Sequence, residues 1–404
     1  MAMKPVVVIG GGPTGLMAAD IISAAGVPVT VYERMPSVGR KLLMAGRGGL
    51  NLTHSEPLER LLGRYGEARS FLDAAIREMP PEALIAWANG LGQETFTGSS
   101  GRIFPKAMKA SPLLRAWLAR LAAQGVEFRT RHCWMGIDAA GCARFELADG
   151  SRITAEPAPI VLALGGGSWP RLGADGGWTQ AIAELGVDVR PLTSANAGVH
   201  IAWSEHFRDR FQGQPLKRIG VRVGDASSRG EALVTATGLE GGAIYALSPA
   251  IREQLARNGK ARLTIDLRPD IDASTLAQRL ARPRGKQSLA TWLRKSAQLD
   301  PVSIALLRES GGLALPTEPA ALARQIKGAS RDVTAVAGLA RAISSAGGIA
   351  LGEVDAGMML LKHPGIFVAG EMLDWEAPTG GYLLQACFSS GHAAGKGVLR
   401  HLGR

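Results

Sequence analysis

Three glycines, Gly10, Gly12 and Gly15, stand between the β-branched run Val6–Ile9 and an apolar helical stretch. Their spacing is G-x-G-x-x-G, and each position has its own task. Gly10 permits a sharp turn, Gly12 lets the backbone come up to a pyrophosphate, and Gly15 lets helix and strand pack closely. Pro13 and Thr14 lie inside this fingerprint, and the helix start that follows turns unpaired N–H groups and a positive dipole end toward the phosphates. Glu33 closes the next strand, 18 residues after Gly15. It can accept from ribose hydroxyls, and its charge disfavours a 2′-phosphate there. Arg34, beside it, is a further candidate contact. A strand before the glycines, a helix after them and an acid at the end of the next strand together mark dinucleotide binding.

A second cluster lies at the other end of the chain. The strand-like "GIFVAG" leads into Gly370, Glu371 and Asp374, then Pro378, Gly380 and Gly381, and a fresh helix opens at Tyr382 and Leu383. A nicotinamide dehydrogenase explains the first cluster but not this one. In two-part FAD folds a late strand ends in a glycine and an acid that meet the ribitol-phosphate, and the next helix starts under the isoalloxazine ring. Gly370, Glu371 and Asp374 suit the first role; Gly380, Gly381 and Tyr382 suit the second. Reduced flavin carries negative charge at N1 and C2=O, so a helix start there favours the reduced form.

Between the clusters, Arg40 and Lys41 can meet phosphate or the adenosine ribose. Gly46, Gly48 and Gly49 form a loop able to approach the ring system, and Asn51, Thr53 and His54 can supply hydrogen bonds. Gly165 and Gly166 end another buried strand. Arg47, His54 and Tyr382 are the candidates for orienting a substrate or donating a proton. No second dinucleotide fingerprint follows a strand, so NAD(P)H is expected to dock transiently against the flavin rather than in a domain of its own, or the electrons come from the substrate itself.

The elements needed to hold these groups are those of an α/β protein with a Rossmann-like, two-part FAD-binding domain. Residues 1–190 and 346–404 form it in this reading. The style changes between them: short strands over 191–270 suggest an inserted β-barrel, and 271–345 reads as a small helical subdomain. With 404 residues, 46% of them hydrophobic and 20% charged, the chain has the composition of a globular protein of more than one subdomain. The longest apolar run, around 15–31, is broken by Asp20 and Pro28, so no membrane span is expected. The N-terminus lacks the layout of a signal peptide, and a cytoplasmic location is the expectation. Cys133, Cys142 and Cys387 form no C-x-x-C, which argues against a dithiol redox pair and a cysteine metal site. The net charge is +11, and residues 251–330 hold 14 Lys and Arg against 7 Asp and Glu. That excess is a candidate footprint for RNA, centred on Arg252, Arg257, Lys260, Arg279, Arg282, Arg284, Lys286, Arg294 and Lys295, with Trp292 able either to stack on a base or to fill the core.

Five stretches, "VVIGGGPTGLMAA", "GRKLLMAGRGGLNLTH", "GRIFPKAMKAS", "ALGGGSWPRLGADGG" and "GEMLDWEAPTGGYLLQACFSSGHAAG", resemble the BaiN-like, aminoacetone-oxidase-like FAD-dependent oxidoreductases, over almost the whole chain. The resemblance implies one FAD domain, an inserted β-barrel and a small helical subdomain, and places the Cys133–Trp134 backbone near the adenine. Relatives usually read Gly-Gly-Gly-Arg-Cys-Asn where this chain has Arg47-Gly48-Gly49-Leu50-Asn51. They often have Asn where it has Leu383, and Ser-Gly-Pro where it has Glu240-Gly241-Gly242. FAD binding rests on glycines and backbone, so these departures bear on substrate and mark a divergent branch. The activities implied are reduction of an electron-poor double bond, reduction of uridine in ribosomal RNA, and amine oxidation with release of hydrogen peroxide. A flavin-binding protein without turnover is the remaining alternative.

Overall fold

The structure, a computed structural model, describes residues 4–46, 48–311 and 315–404. The chain divides into two compact units, residues 1–193 with 344–404 and residues 194–343. The first is built on a five-stranded parallel sheet. Its strands are β1 (Val6–Ile9), β2 (Val29–Glu33), β3 (Glu127–Thr130), β4 (Ile160–Leu162) and β5 (Ile366–Val368), in the order β5-β4-β1-β2-β3. The runs VVVI, IVL and IFV are buried on both faces, which is why they carry no polar alternation.

Two helices cover this sheet at the site: α1 (Pro13–Ala24), directly after β1, and α2 (Tyr382–His401), the last element of the chain. Small residues let them touch backbone to backbone. A Cβ on Gly391 would lie 2.4 Å from the Thr14 carbonyl oxygen, and one on Gly395 would lie 3.1 Å from that of Ala18. The first and last motifs of the sequence therefore meet, because β1 and β5 flank β4 and their helices pack on each other.

Buried polar groups lock this arrangement. Asp20 of α1 accepts from the indole N–H groups of Trp87 (3.2 Å) and Trp117 (2.9 Å) and from the Arg120 guanidinium. In α2, Gln385 accepts from the Thr53 hydroxyl (2.6 Å) and donates to the Met79 carbonyl (2.7 Å), where Ser389 also donates (2.9 Å). Asp20, Trp117, Thr53, Met79, Gln385 and Ser389 are buried, and Trp87 and Arg120 partly so, so removing a bond between the buried groups would leave a polar atom without water.

The second unit contains a closed six-stranded antiparallel barrel with its own apolar core. Five strands come from residues 199–266. The sixth, Ala329–Val336, lies in the stretch read from sequence as helical. It pairs with Ala261–Asp266 on one side and Val199–Ile201 on the other. Its central Ser-Arg-Asp is only partly buried, so the alternation that marks a half-buried strand is missing. Helices Ala273–Leu280, Leu289–Ser296, Pro301–Gly311 and Pro319–Ile326 pack beside the barrel. Among the described residues, no helix is long and apolar enough to cross a membrane, and no cluster of His, Cys, Asp or Glu could hold a metal ion.

Candidate functional site

A cavity of about 500 Å³ opens at the carboxyl ends of β1, β2 and β4. Gly10, Gly12, Pro13, Thr14, Glu33, Arg34, Arg40, Lys41, Trp134, Gly165 and Glu371 all line it. The turn after β1 is possible only for glycine: Gly10 has φ +108°, and a Cβ there would lie 2.2 Å from the Ala163 carbonyl oxygen. Gly15 does not line the cavity but presses α1 onto the turn, within 2.0 Å of the Gly10 oxygen for an added Cβ. At Gly12 the space beyond an added Cβ is open to 4 Å. Gly12 is also the N-cap of α1, and no side chain caps that helix, so its first N–H groups are available to an anion.

Glu33 is held at the cavity wall by two backbone donors. Its carboxylate accepts from the N–H groups of Gly11 and Met35, each at 2.8 Å. Burial raises its pKa above that of an ordinary glutamate, and these two bonds offset only part of the rise. Arg34 pairs with Asp175 at 2.5 Å. Two buried donors at the cavity, Arg40 Nε and Trp134 Nε1, have no hydrogen-bond partner among the described residues. Opposite them Lys41 Nζ reaches Glu371 and Ser168, both at 2.7 Å, and so ties together the helix Arg40–Ala45, the loop after β4 and the end of β5. The Cys387 thiol also lines the cavity, and burial pushes its pKa up to about 12, so it stays protonated. Gly166 and Gly370 lie just outside the cavity wall. Gly166 packs on Ser345, and Gly370 packs on Thr14 while donating to the Ser390 hydroxyl at 3.1 Å. Asp374 does not line the cavity; its N–H donates to the Ile349 carbonyl at 2.9 Å.

The remaining candidates gather at the start of α2. Gly381, its N-cap, has φ +106°, and a Cβ there would lie 2.5 Å from the Thr53 carbonyl group. No side chain caps this helix either. Tyr382 is buried, with its ring stacked on His54 (centroids 5.2 Å apart) and the Arg64 guanidinium 5.7 Å from its centre. Burial and the neighbouring Glu56 carboxylate hold the Tyr382 phenol above its ordinary pKa, which favours the protonated form. His54 Nδ1 accepts from the Glu56 N–H at 3.1 Å, which puts the ring proton on Nε2, 3.1 Å from the Ser100 carbonyl. Both imidazole nitrogens are thus engaged by backbone. Gly46 packs on Ala110, while an added Cβ at Gly48 would meet nothing within 4 Å. The Asn51 side-chain oxygen is buried without a partner among the described residues. Leu383 is half-buried against the core. Arg47 lies outside the described residues.

Among the cavity residues that escaped the assignment from sequence are Cys387, Asp175 and Trp178. Trp178 bonds the Gly165 carbonyl (2.8 Å). The stretch "PRLGADGG" contains Asp175 and runs directly into Trp178, but nothing local said which way these residues faced.

The residues fit FAD. Two uncapped helix starts, an acid held for a ribose, orphaned buried donors at the cavity and an orphaned acceptor near the second helix start would each gain a partner. Fold and site define a Rossmann-type FAD-dependent oxidoreductase. The chain belongs to the HI0933-like protein Rossmann domain family, whose profile matches residues 4–397. It is 25% identical over 412 residues to a 3-dehydro-bile acid delta(4,6)-reductase of Clostridium scindens, covering 98% of each chain. It is 26% identical over 416 residues to the ribosomal RNA dihydrouridine synthase of Escherichia coli, covering 97% of each. The fold is shared with the 3-ketosteroid delta1-dehydrogenase of Sterolibacterium denitrificans (TM-score 0.53, 13% identity, all of both chains). It is also shared with a flavocytochrome c3 fumarate reductase (TM-score 0.51, 16% identity, 99% of this chain and 78% of that one).

Proposed function

We propose that this protein is an NAD(P)H-fed reductase of an electron-poor double bond in a small molecule. The observation that carries the reading is the pairing of two uncapped helix starts, at Gly12 and Gly381, on helices packed against each other. One suits a pyrophosphate and the other a ring that gains negative charge. The reductase among the relatives supports the direction of the reaction. Bound FAD would supply hydride transfer through N5. The chain's own residues do the rest. The α1 N–H groups and Arg40 meet phosphate, Glu33 accepts from ribose, and Lys41 balances the charge of Glu371 beside the anionic cofactor. Trp134 lies along the adenosine side, and Asn51 offers its oxygen to a ring N–H. Feeding by NAD(P)H implies a cytoplasmic location.

A second reading places the electrons on uridine in ribosomal RNA. Arg279, Arg282, Arg284, Lys286, Arg294 and Lys295 occur in 273–298 without one Asp or Glu, and all but Arg279 are exposed. Trp292 is not a free stacking surface, since it packs on the core of its unit and donates to the Arg282 carbonyl at 3.2 Å. One experiment separates the readings. NADPH or NADH should bleach the flavin anaerobically, and an enone should restore its colour. Reoxidation by an RNA pool and not by enones favours the second reading. A flavin that neither nucleotide bleaches, but that an amine reduces with release of peroxide in air, overturns both.

Glu33 adds a pH dependence. Only the ionised carboxylate is a full acceptor for a ribose hydroxyl, and its folded pKa is raised by burial. FAD affinity should therefore be full above that raised pKa and fall as pH drops through it, earlier than for an ordinary glutamate. Loss of a bond to a charged acceptor corresponds to about a tenfold change. Glu33→Gln should bind FAD weakly at neutral pH and show no such titration by fluorescence of free FAD; a wild-type profile in the variant would remove Glu33 from the site.

A further inference from the structure

The strand Arg102–Pro105 alternates cleanly. Ile103 is buried at 2% exposure, while Arg102 and Phe104 point to the other face. That face spans two glycine stretches of the site. The Phe104 ring lies 3.3 Å from where a Cβ on Gly49 would stand. Arg102 Nε lies 3.4 Å, and its Nη2 4.0 Å, from the equivalent point on Gly380. In register, Arg102 is directly opposite His54, the residue stacked on Tyr382. The backbone holds this strand firmly: the Arg102 carbonyl accepts from the Gly98 N–H at 2.8 Å.

The guanidinium of Arg102 is half-buried and makes no hydrogen bond or ion pair with the described residues. A guanidinium carries five N–H donors in a fixed plane, and one placed for structure alone is ordinarily spent on a carboxylate or carbonyl. Neighbouring arginines in this unit are spent that way: Arg64 holds Glu56 through two bonds of 3.0 and 2.8 Å, and Arg120 holds Asp20. Arg102 instead offers its cation, unspent, to the turn from which α2 starts.

We infer that Arg102 is the cationic group at the pyrimidine edge of the bound flavin, where it stabilises the negative charge that develops at N1 and C2=O. It acts alongside the uncapped N–H groups of α2, and adds a full charge to their partial one. The inference rests on the flavin reading of the site. It makes Arg102 a determinant of how readily the flavin accepts a nucleophile or a hydride at N5, since either one leaves its electron pair on the N1–C2=O side of the ring.

Sulfite reads this charge without turnover. Its lone pair forms a bond to N5, the visible flavin band bleaches, and the added negative charge settles at N1 and C2=O. Wild-type holoenzyme, Arg102→Met and Arg102→Lys are titrated with sulfite after FAD content is measured by release on denaturation. Arg102→Met is expected to bind sulfite at least about tenfold more weakly, the scale of one charged stabiliser lost, while Arg102→Lys stays within about threefold of wild type. Free guanidinium should restore part of the loss in Arg102→Ala. Sulfite affinity in Arg102→Met equal to that of wild type overturns the inference, as does equal weakening in Arg102→Lys and Arg102→Met. A wild-type protein that releases no FAD and cannot be reconstituted overturns the flavin reading itself, which is a separate outcome.

Discussion

Gly12→Val should fold as the wild type does and yet be unable to hold FAD. The backbone at Gly12 is extended, with φ −85° and ψ −179°, which valine adopts without strain. No atom of the described residues lies within 4 Å of the new Cβ. The branched side chain would instead fill the space in front of the α1 N–H groups, where a pyrophosphate must come. Hydrogen bonds to a charged group contribute about 1.5–3 kcal/mol each, so losing their approach should weaken FAD by at least about 100-fold. Thermal unfolding of the apo form should match that of wild-type apoprotein, and the purified variant should be colourless. The contrast is Gly10→Val, where φ +108° and a carbonyl oxygen 2.2 Å away make misfolding the expected outcome. A yellow Gly12→Val protein would mean that the pyrophosphate lies elsewhere.

Asp20→Ala is expected to carry the largest cost in stability. Asp20 faces the apolar core yet is 5% exposed, and it gathers two indole N–H groups and one guanidinium. Trp117 is fully buried, so its N–H has no water to turn to. Removing the partner of a buried, hydrogen-bonded charge costs about 3–5 kcal/mol. The urea midpoint should fall accordingly. Asp20→Asn should lose less, because its amide oxygen still accepts from an indole. An Asp20→Ala protein within about 1 kcal/mol of wild type would show that Arg120 and the indoles find other partners on their own. None of these groups lines the cavity, so the loss should appear equally in apo and holo forms once ligand stabilisation is subtracted.

What could be read in the sequence was what is local. Gly10, Gly12, Gly15 and Glu33 announce themselves because turn, helix start and acid follow each other within one strand–helix–strand unit. The Gly380–Gly381 helix start is legible for the same reason. Arg102 is not, because its place depends on a strand pairing with Thr53–His54 and on a turn 278 residues downstream. The engagement of His54 Nε2 was equally hidden, since Ser100 lies 46 residues away, whereas the Glu56 N–H on Nδ1 comes from only two residues on. Asp20 looked only like an interruption of an apolar run; its three donors come from helices 60 or more residues away. The sixth barrel strand was missed because Ser330, Arg331 and Asp332 mask the period of two.

The contact between α1 and α2 has a bearing on how the molecule is made. The segment that supplies β5 and α2 leaves the ribosome after residues 194–343. Until it emerges, β4 has an open edge and the Thr14–Ala18 face of α1 is bare, while residues 194–343 already have every strand of their barrel. The middle unit can thus be complete while the α1 half of the cradle still waits, unfinished, for residues 344–404 to be made.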